Sequence, residues 1–221
     1  MRILAVSDEA SPALWEHYAT GRLDEYDLIL ACGDLKAEYL TFLVTMSRAR
    51  LLYVHGNHDG GYKTKPPEGC DDIDGHLVSF NSVRILGLGG CLKYCEGEHQ
   101  YTEGRMRRRI AKLRRAISKA GGVDIVIAHA PPRGFGDLDD PAHRGFEAFV
   151  ELINEYRPKL FLHGHIHRRY EPLLSREHSL GGTRIINVSE RFEFDLPAQC
   201  DRSQALVRLS RYRKPSDGPN A

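Results

Sequence analysis

Short apolar runs alternate with predicted helices along the first third of the chain. The apolar runs are residues 2–6, 27–32 and 51–55, and the segments between them predict helices over about 12–19 and 36–47. Continuous apolar runs that alternate with helices are typical of βαβ units and of a sheet covered on both faces. The pattern therefore predicts an α/β protein with buried strands.

The rest of the chain continues this alternation after a loop over residues 60–75 that is rich in Gly, Pro and Asp. No internal repeat is visible and no linker separates two cores, so we expect one domain over residues 1–212. The polar segment 213–221 is expected to be a disordered tail. The remaining predicted elements are hairpin strands at 76–80 and 83–88, a helix over 103–120 that ends at Gly121 and Gly122, a strand at 123–128, a helix over about 144–156, and strands at 159–162, 169–174, 183–189 and 204–209.

Composition narrows the class of protein further. A formal net charge of +1 argues against nucleic-acid binding through the overall electrostatic field. No signal peptide or membrane-spanning run is recognisable, and the five cysteines are an odd number in a chain too large to need disulfides. We therefore expect a reduced, cytoplasmic protein without a membrane partner. Cys91 and Cys95 lack the second cysteine pair that a structural zinc site would need.

Polar residues that suit metal ligation follow the predicted strands. Ligand sites in such sheets lie beyond the carboxyl ends of the strands, so these side chains are expected to meet at one edge. A mixture of carboxylate, carboxamide and imidazole groups suits first-row divalent ions better than it suits Ca²⁺. The strand-end residues are Asp8, Asp34, Asn57, His129, His165 and His167.

The segment LHGHIH places three imidazoles at alternating positions, and alternate residues of a strand share one face. A His-rich polar edge and a metal site both fit the segment taken alone. His165 and His167 are the expected ligands. We expect His163 either to orient a metal ligand without binding the ion itself, or to be a polar residue with no role in the site.

These residues, in this order, resemble the motifs of the calcineurin-like metallophosphoesterase family. The family motifs are Asp-x-His, Gly-Asp, Gly-Asn-His-(Asp/Glu), a lone His and Gly-His-x-His, and the resemblance covers about residues 3–189. The phrases HAPPRG and RPKLFLHGHIH are most similar to a phosphodiesterase-like subgroup. The chain supplies Asp8, Gly33-Asp34, Gly56-Asn57-His58-Asp59, His129 and Gly164-His165-Ile166-His167.

The resemblance implies a four-layer αββα sandwich, with two mixed sheets flanked by helices and two divalent metal ions held at one end. We expect Mn²⁺, or Fe²⁺, Zn²⁺ or Ni²⁺. The implied reaction is hydrolysis of a phosphodiester, or of a phosphomonoester, by direct attack of metal-bound hydroxide. By position, Asp34 would bridge the two ions. One metal site would be completed by Asn57, His129 and His165, and the other by Asp8 and His167. His58 would contact the phosphate and protonate the leaving oxygen, and Asp59 would orient His58.

The first motif departs from the family pattern, because Ala10 stands where the histidine ligand of Asp-x-His belongs. Alanine cannot ligate a metal ion. Three hypotheses follow. The site could bind its ion weakly through the remaining ligands and water, or the missing ligand could be replaced by another residue such as Glu9, His99 or His143. Alternatively, the protein could work with one tightly held ion. We favour the first hypothesis because the other ligands are intact.

Two other functions compete with a hydrolase. The chain could be a scaffold that keeps the fold and binds partners, as in the retromer subunit that resembles this family, but the retained His58 favours an enzyme. The basic segment 105–115 could bind nucleic acid. Met106, Ile110 and Leu113 instead predict an ordinary helix with a buried stripe and a solvated basic face, so nucleic acid is possible but not favoured. The oligomeric state and the substrate are not predicted.

Overall fold

The protein is described by a computed structural model that covers residues 1–167 and 174–196. Two short 3₁₀ helices, Pro12–Leu14 and Asp59–Lys63, accompany three α-helices in these ranges: α1 (Ala37–Thr45), α2 (Glu103–Ala120) and α3 (Glu147–Tyr156). The strands are β1 (Arg2–Ser7), β2 (Leu28–Ala31), β3 (Arg50–Tyr53), β4 (Asp71–Asp72), β5 (Leu77–Phe80), β6 (Val83–Leu88), β7 (Cys91–Leu92), β8 (Gln100–Tyr101), β9 (Ile125–Ala128), β10 (Leu160–His163), β11 (Glu177–Leu180), β12 (Thr183–Asn187) and β13 (Glu190–Asp195).

Two large mixed sheets form the centre of the molecule. The first sheet has the order β13-β1-β2-β3-β4, with β13 antiparallel to β1 and the other neighbours parallel. The second sheet has the order β11-β12-β10-β9-β6-β5, with antiparallel strands at both edges and parallel strands between them. A small parallel pair, β7-β8, lies outside both sheets.

The sheets pack face to face, and helices cover their outer faces. Residues of both sheets, such as Leu30 and Ile127, share one buried apolar cluster, which is the contact layer between the sheets. A second cluster joins α1 to the outer face of the first sheet, and a third joins α2 and α3 to the outer face of the second. This arrangement confirms the predicted αββα sandwich, since each sheet buries both of its faces.

Helix α2 follows the sequence prediction closely. The Thr102 side chain caps its first turn by accepting a hydrogen bond from the Arg105 amide at 3.3 Å, and Gly121 ends it in the left-handed conformation at φ 75°. The predicted apolar stripe is buried. Two of the basic residues pair with α3, Arg107 with Glu151 at 2.9 Å and Arg114 with Glu155 at 3.5 Å.

The predicted helix over residues 12–19 is wrong, because regular structure there is limited to Pro12–Leu14. The Ser11 hydroxyl does not cap that short helix, and it donates instead to Glu190 across the sheet at 2.8 Å. The rings of Trp15 and Tyr18 both pack edge-on against Phe42 of α1. Tertiary packing of these rings thus replaces the helix that local propensity favours.

The other differences from the sequence prediction lie after residue 59. The loop predicted over 60–75 includes part of a 3₁₀ helix and strand β4, and strands β11 and β13 were not predicted. Most of the predicted strand 169–174, all of 204–209 and the tail 213–221 lie outside the described residues. None of the helices in the described ranges has the length and apolarity needed to cross a bilayer.

Candidate metal centre

The strand-end residues lie where parallel strands of both sheets finish. Asp8 follows β1, Asp34 follows β2 after Gly33, and His165 lies two residues beyond β10. All three adopt left-handed backbone conformations, with φ of 65° for Asp8, 54° for Asp34 and 69° for His165. Such conformations are costly for residues other than glycine and concentrate at functional sites. They turn these side chains out of the strands and toward one another.

Asp34, His129 and His165 form the compact part of the site. Their potential ligand atoms all lie within 4.8 Å of one another. Nε2 of His129 is 3.2 Å from Oδ2 of Asp34 and 3.1 Å from Nδ1 of His165. Asn57 joins this group, because its Oδ1 atom lies 3.1 Å from the same Nε2. One carboxylate, one amide oxygen and two imidazoles thus converge on a single point.

The ring orientations of both histidines suit ligation. Nδ1 of His129 lies 2.9 Å from the Cys32 carbonyl oxygen, and Nε2 of His165 lies 2.7 Å from the Ala142 carbonyl oxygen. A carbonyl oxygen only accepts, so each of these nitrogens carries the proton and donates it. The other ring nitrogen then faces the cluster, where it can ligate a cation once it carries no proton, as metal-binding histidines do.

The charges of Asp34, His129 and His165 strongly affect one another. Burial opposes ionisation of both Asp34 and His129, but their mutual attraction outweighs it: the pKa of Asp34 falls well below its usual range, and the pKa of His129 rises to about 9. His165 behaves differently, because burial and the neighbouring His129 lower its pKa to about 3. A neutral His165 is ready to ligate, while His129 must lose its proton when a cation binds.

A second group of candidate ligands adjoins the first. Oδ1 of Asp8 accepts a hydrogen bond from the His165 amide at 2.8 Å, whereas its Oδ2 atom is buried without a hydrogen-bond partner among the described residues. Burial raises the pKa of this carboxyl group. Nδ1 of His167 lies 3.3 Å from Oε1 of Glu9. A buried carboxylate oxygen without a donor is what an adjacent cation would satisfy, so these residues fit a second ion.

The structure shows which side chains lie near the gap left by Ala10. Ala10 itself packs against the apolar cluster beneath α1, and the Tyr39 hydroxyl accepts from the Ser11 amide at 3.3 Å. His99 stacks on His55 with ring centroids 4.4 Å apart, and His143 pairs with Asp140 at 3.0 Å. Of the replacement ligands considered from the sequence, Glu9 contacts His167, and the His143 ring lies 5.5 Å from the His165 ring between centroids.

His58 and Asp59 occupy the turn that follows Asn57. The His58 amide donates to Oδ1 of Asp34 at 2.8 Å, and its ring is 75% exposed with Nε2 4.0 Å from Oδ2 of Asp34. The described hydrogen bonds of the Asp59 carboxylate come from the amides of Asp34 and Gly56, at 2.9 and 2.7 Å. Asp59 therefore holds the backbone of the turn that carries His58.

Other predicted site residues lie outside the cluster. Strand β10 ends at His163, which is fully buried, and its Nδ1 donates to the Gly164 carbonyl oxygen at 3.0 Å. The expected shared strand face of His163, His165 and His167 is not formed, because the left-handed turn at His165 interrupts the alternation. Arg133, which follows His129 in the HAPPRG segment, is paired with Asp137 at 2.7 Å and Asp139 at 2.9 Å.

One residue beside the site was missed by the sequence analysis. Tyr94 lies between β7 and β8, and its hydroxyl is 3.5 Å from Nδ2 of Asn57. No sequence motif marks this position, since the segment is distinguished only by its two cysteines. The amide of Gly90, just before β7, donates to the His55 carbonyl oxygen at 2.7 Å, which places the start of this segment beside a residue that is close to Asn57 along the chain.

Comparison with known proteins agrees with this geometry. A family model described as calcineurin-like phosphoesterase matches residues 1–169, and the chain belongs to that family. No curated protein sequence matches the chain significantly. The family is one of metallophosphoesterases, which act on phosphate esters with divalent metals, and the cluster of Asp34, His129 and His165 is a candidate site for such an ion.

Solved structures share the fold at low sequence identity. One crystal structure aligns with a TM-score of 0.62 at 15% identity, over 88% of this chain and 94% of its own. The protein TT1561 of Thermus thermophilus aligns with a TM-score of 0.57 at 17% identity, covering 86% and 89% of the two chains. A candidate 5′-nucleotidase from Staphylococcus aureus, in complex with α-ketoglutarate, aligns at 0.51 and 12% identity over 89% of this chain and 51% of its own.

Proposed function

We propose that the protein is a metal-dependent phosphoesterase that hydrolyses a phosphodiester by direct attack of water, without a covalent enzyme intermediate. The observation that carries the proposal is the convergence of Asp34, His129 and His165, whose potential ligand atoms lie within 4.8 Å of one another. Asn57 adds a neutral oxygen to this group. The uncharged amide leaves the site with more positive charge for an anionic substrate.

Two groups of residues would hold the two ions. Asn57, His129 and His165 serve one position, Asp8 and His167 serve the other, and the two oxygens of Asp34 allow it to serve both. Bound divalent ions supply Lewis acidity for the phosphoryl oxygens and acidify the attacking water. Glu9 accepts the Nδ1–H proton of His167, which fixes the ring and its tautomer. Mn²⁺ is the first ion to test, ahead of Fe²⁺, Zn²⁺ and Ni²⁺.

His58 is placed to act as the general acid. Its ring is exposed at the mouth of the site, yet its backbone is held by Asp34 and by the turn that Asp59 anchors. A leaving alkoxide needs a proton, and a histidine supplies one near neutral pH. A monoester and a diester can expel the same alkoxide, so the preference for a diester rests on the similarity of HAPPRG and RPKLFLHGHIH to a phosphodiesterase-like subgroup.

The proposal is tested by initial rates of hydrolysis of bis-p-nitrophenyl phosphate while Mn²⁺ is titrated into metal-stripped protein. The same titration with p-nitrophenyl phosphate separates diesterase from monoesterase activity. We expect a metal-saturable rate that is higher for the diester. Because p-nitrophenolate leaves without a proton, the general acid is tested on a diester with an alkoxide leaving group, such as a dinucleotide, where His58→Ala should lower the rate about 10²-fold or more. His17→Ala is the matched control, because His17 is an exposed histidine outside the cluster.

Each outcome has a defined meaning. A higher rate with the monoester would leave a phosphoesterase but contradict the diester preference. An unchanged rate in His58→Ala on the diester with an alkoxide leaving group would remove the general-acid role. Folded protein that binds metal but hydrolyses neither ester would contradict the hydrolase proposal and support a scaffold that binds partners.

A further inference from the structure

Tyr94 is an exposed aromatic residue beside the candidate metal centre. It is 38% exposed, and among the described residues it is the one large hydrophobic side chain that is classed as exposed. Its hydroxyl accepts a hydrogen bond from Nδ2 of Asn57 at 3.5 Å. The Oδ1 atom of the same Asn57 side chain faces His129. Tyr94 therefore contacts Asn57, which belongs to the group of candidate ligands, and the residue is partly open to solvent.

Hydrogen bonds and an ion pair hold the segment that carries Tyr94 in place. Oε1 of the buried Gln100 accepts from the amides of Tyr94 and Cys95, both at 3.2 Å. Glu98 of the same segment pairs with Lys63 at 2.5 Å. Lys63 ends the 3₁₀ helix that begins directly after His58. These contacts fix the position of the ring before any ligand binds, which lowers the entropy cost of using it.

The hydroxyl group of Tyr94 is already engaged by the protein. Its oxygen accepts from the Asn57 amide, and the Cys95 side chain is a further hydrogen-bonding neighbour. The ring offers a flat apolar face beside the same point. An aromatic group benefits from such a face through offset or edge-on packing, whereas a small aliphatic group gains far less.

We propose that Tyr94 forms a subsite for a planar aromatic group esterified to the phosphate, such as a nucleobase-bearing or aryl ester. This inference rests on the proposed function, because it needs the phosphate group anchored at the metal centre. The ring packs against the aromatic group, while the hydroxyl stays bonded to Asn57 and so keeps the ring beside the metal centre. The subsite thus favours aromatic over small aliphatic esters.

The test is equilibrium binding, which does not depend on turnover. Calorimetric titrations of the Mn²⁺-loaded protein compare phenylphosphonate with methylphosphonate. We expect the wild type to bind phenylphosphonate about 2- to 10-fold more tightly, Tyr94→Ala to bind both alike, and Tyr94→Phe to keep most of the preference. Tyr156→Ala is the matched control, since it removes a partly buried ring at the end of α3 and should leave the preference intact.

The possible failures are distinguishable. Equal binding of both phosphonates by the wild type, or a preference that survives in Tyr94→Ala, would overturn the subsite and leave the phosphoesterase intact. Binding of Mn²⁺ without binding of either phosphonate would overturn the proposed function, and the subsite with it.

Discussion

Nδ1 of His167 lies 3.3 Å from Oε1 of Glu9, in the segment where Ala10 interrupts the Asp-x-His pattern. Donation of the Nδ1–H proton to the carboxylate leaves the ring lone pair on Nε2. A carboxylate in this position also makes the imidazole a stronger ligand. In the proposed two-metal site, Glu9 would offset through His167 part of the affinity that the missing histidine costs the second ion, without itself contacting that ion.

Replacing Glu9 with glutamine should weaken the second ion selectively. The amide is close in shape to the carboxylate but carries no charge, so His167 becomes a weaker ligand. We expect the tighter ion to be retained and the weaker ion to lose about 10-fold or more in affinity. Equilibrium dialysis against Mn²⁺, with metal content measured per chain, resolves the two classes of site.

Glu16→Gln serves as the control for this comparison, because Glu16 is an exposed glutamate in the same part of the chain. Two ions bound with unchanged affinities in Glu9→Gln would show that the contact with His167 is incidental. A single ion per chain in the wild type would instead favour the reading in which the protein works with one metal.

Asp34→Asn should abolish stabilisation by metal. Asp34 is the one carboxylate in the compact cluster, and its side chain is only 8% exposed. A ligand at 100 times its dissociation constant stabilises a protein by about 2.7 kcal/mol, which is a rise in Tm of about 5–10 °C for a chain of this size. Thermal unfolding with and without Mn²⁺ should show that rise in the wild type and in the exposed-site control Asp24→Asn. A similar rise in Asp34→Asn would contradict the assignment.

Gly56 approaches Asp34 so closely that no side chain fits between them. A Cβ atom at Gly56 would lie 2.0 Å from Oδ1 of Asp34, whereas one at Gly61 would meet nothing within 4 Å. Gly56→Ala should therefore displace the Asp34 carboxylate, cost about 1–3 kcal/mol of stability and reduce metal affinity, while Gly61→Ala should do neither. Chemical denaturation and dialysis measure the two effects. Equal behaviour of the two variants would mean that the turn relaxes without cost.

The ligand cluster was predictable because its signal is local in sequence. Asp34, Asn57 and His129 each follow an apolar run, and parallel strands bring their ends to one edge. The contacts of Glu9 and Tyr94 could not be foreseen in the same way. Glu9 meets His167 across 158 positions of the chain, and Tyr94 reaches Asn57 from outside both sheets. Such contacts depend on how loops pack, which strand patterns do not encode.

The fold shows the same division between local and distant causes. The turn of the predicted hairpin contains no glycine, yet Asn81 and Ser82 adopt φ of 46° and 65° there and the hairpin forms. Strand β13 was missed although Phe192 and Phe194 alternate with polar residues. Its partner is β1, at the opposite end of the chain, and that pairing is what defines it as an edge strand.

Asp124 provides a test of what holds the second sheet to its helices. Its side chain is 4% exposed, and it accepts hydrogen bonds from the Arg84 backbone amide at 3.0 Å and from Nε of Arg84 at 2.7 Å. Arg84 also donates to the carbonyl oxygen at the end of α2, so one residue links β6, β9 and that helix. Asp124→Ala should cost about 1–3 kcal/mol because buried donors lose their acceptor.

The matched comparison for Asp124 is the exposed pair of Glu177 and Arg184, whose atoms are 2.8 Å apart. Exposed ion pairs contribute little, so Glu177→Ala should cost less than about 1 kcal/mol. Urea unfolding of the metal-free variants measures both, and removing metal keeps stabilisation by ligand out of the comparison. Equal losses in the two variants would mean that burial does not decide the strength of these pairs. A larger loss in Asp124→Ala would show that this buried carboxylate, which both Arg84 and Lys159 contact, contributes more than the exposed pair.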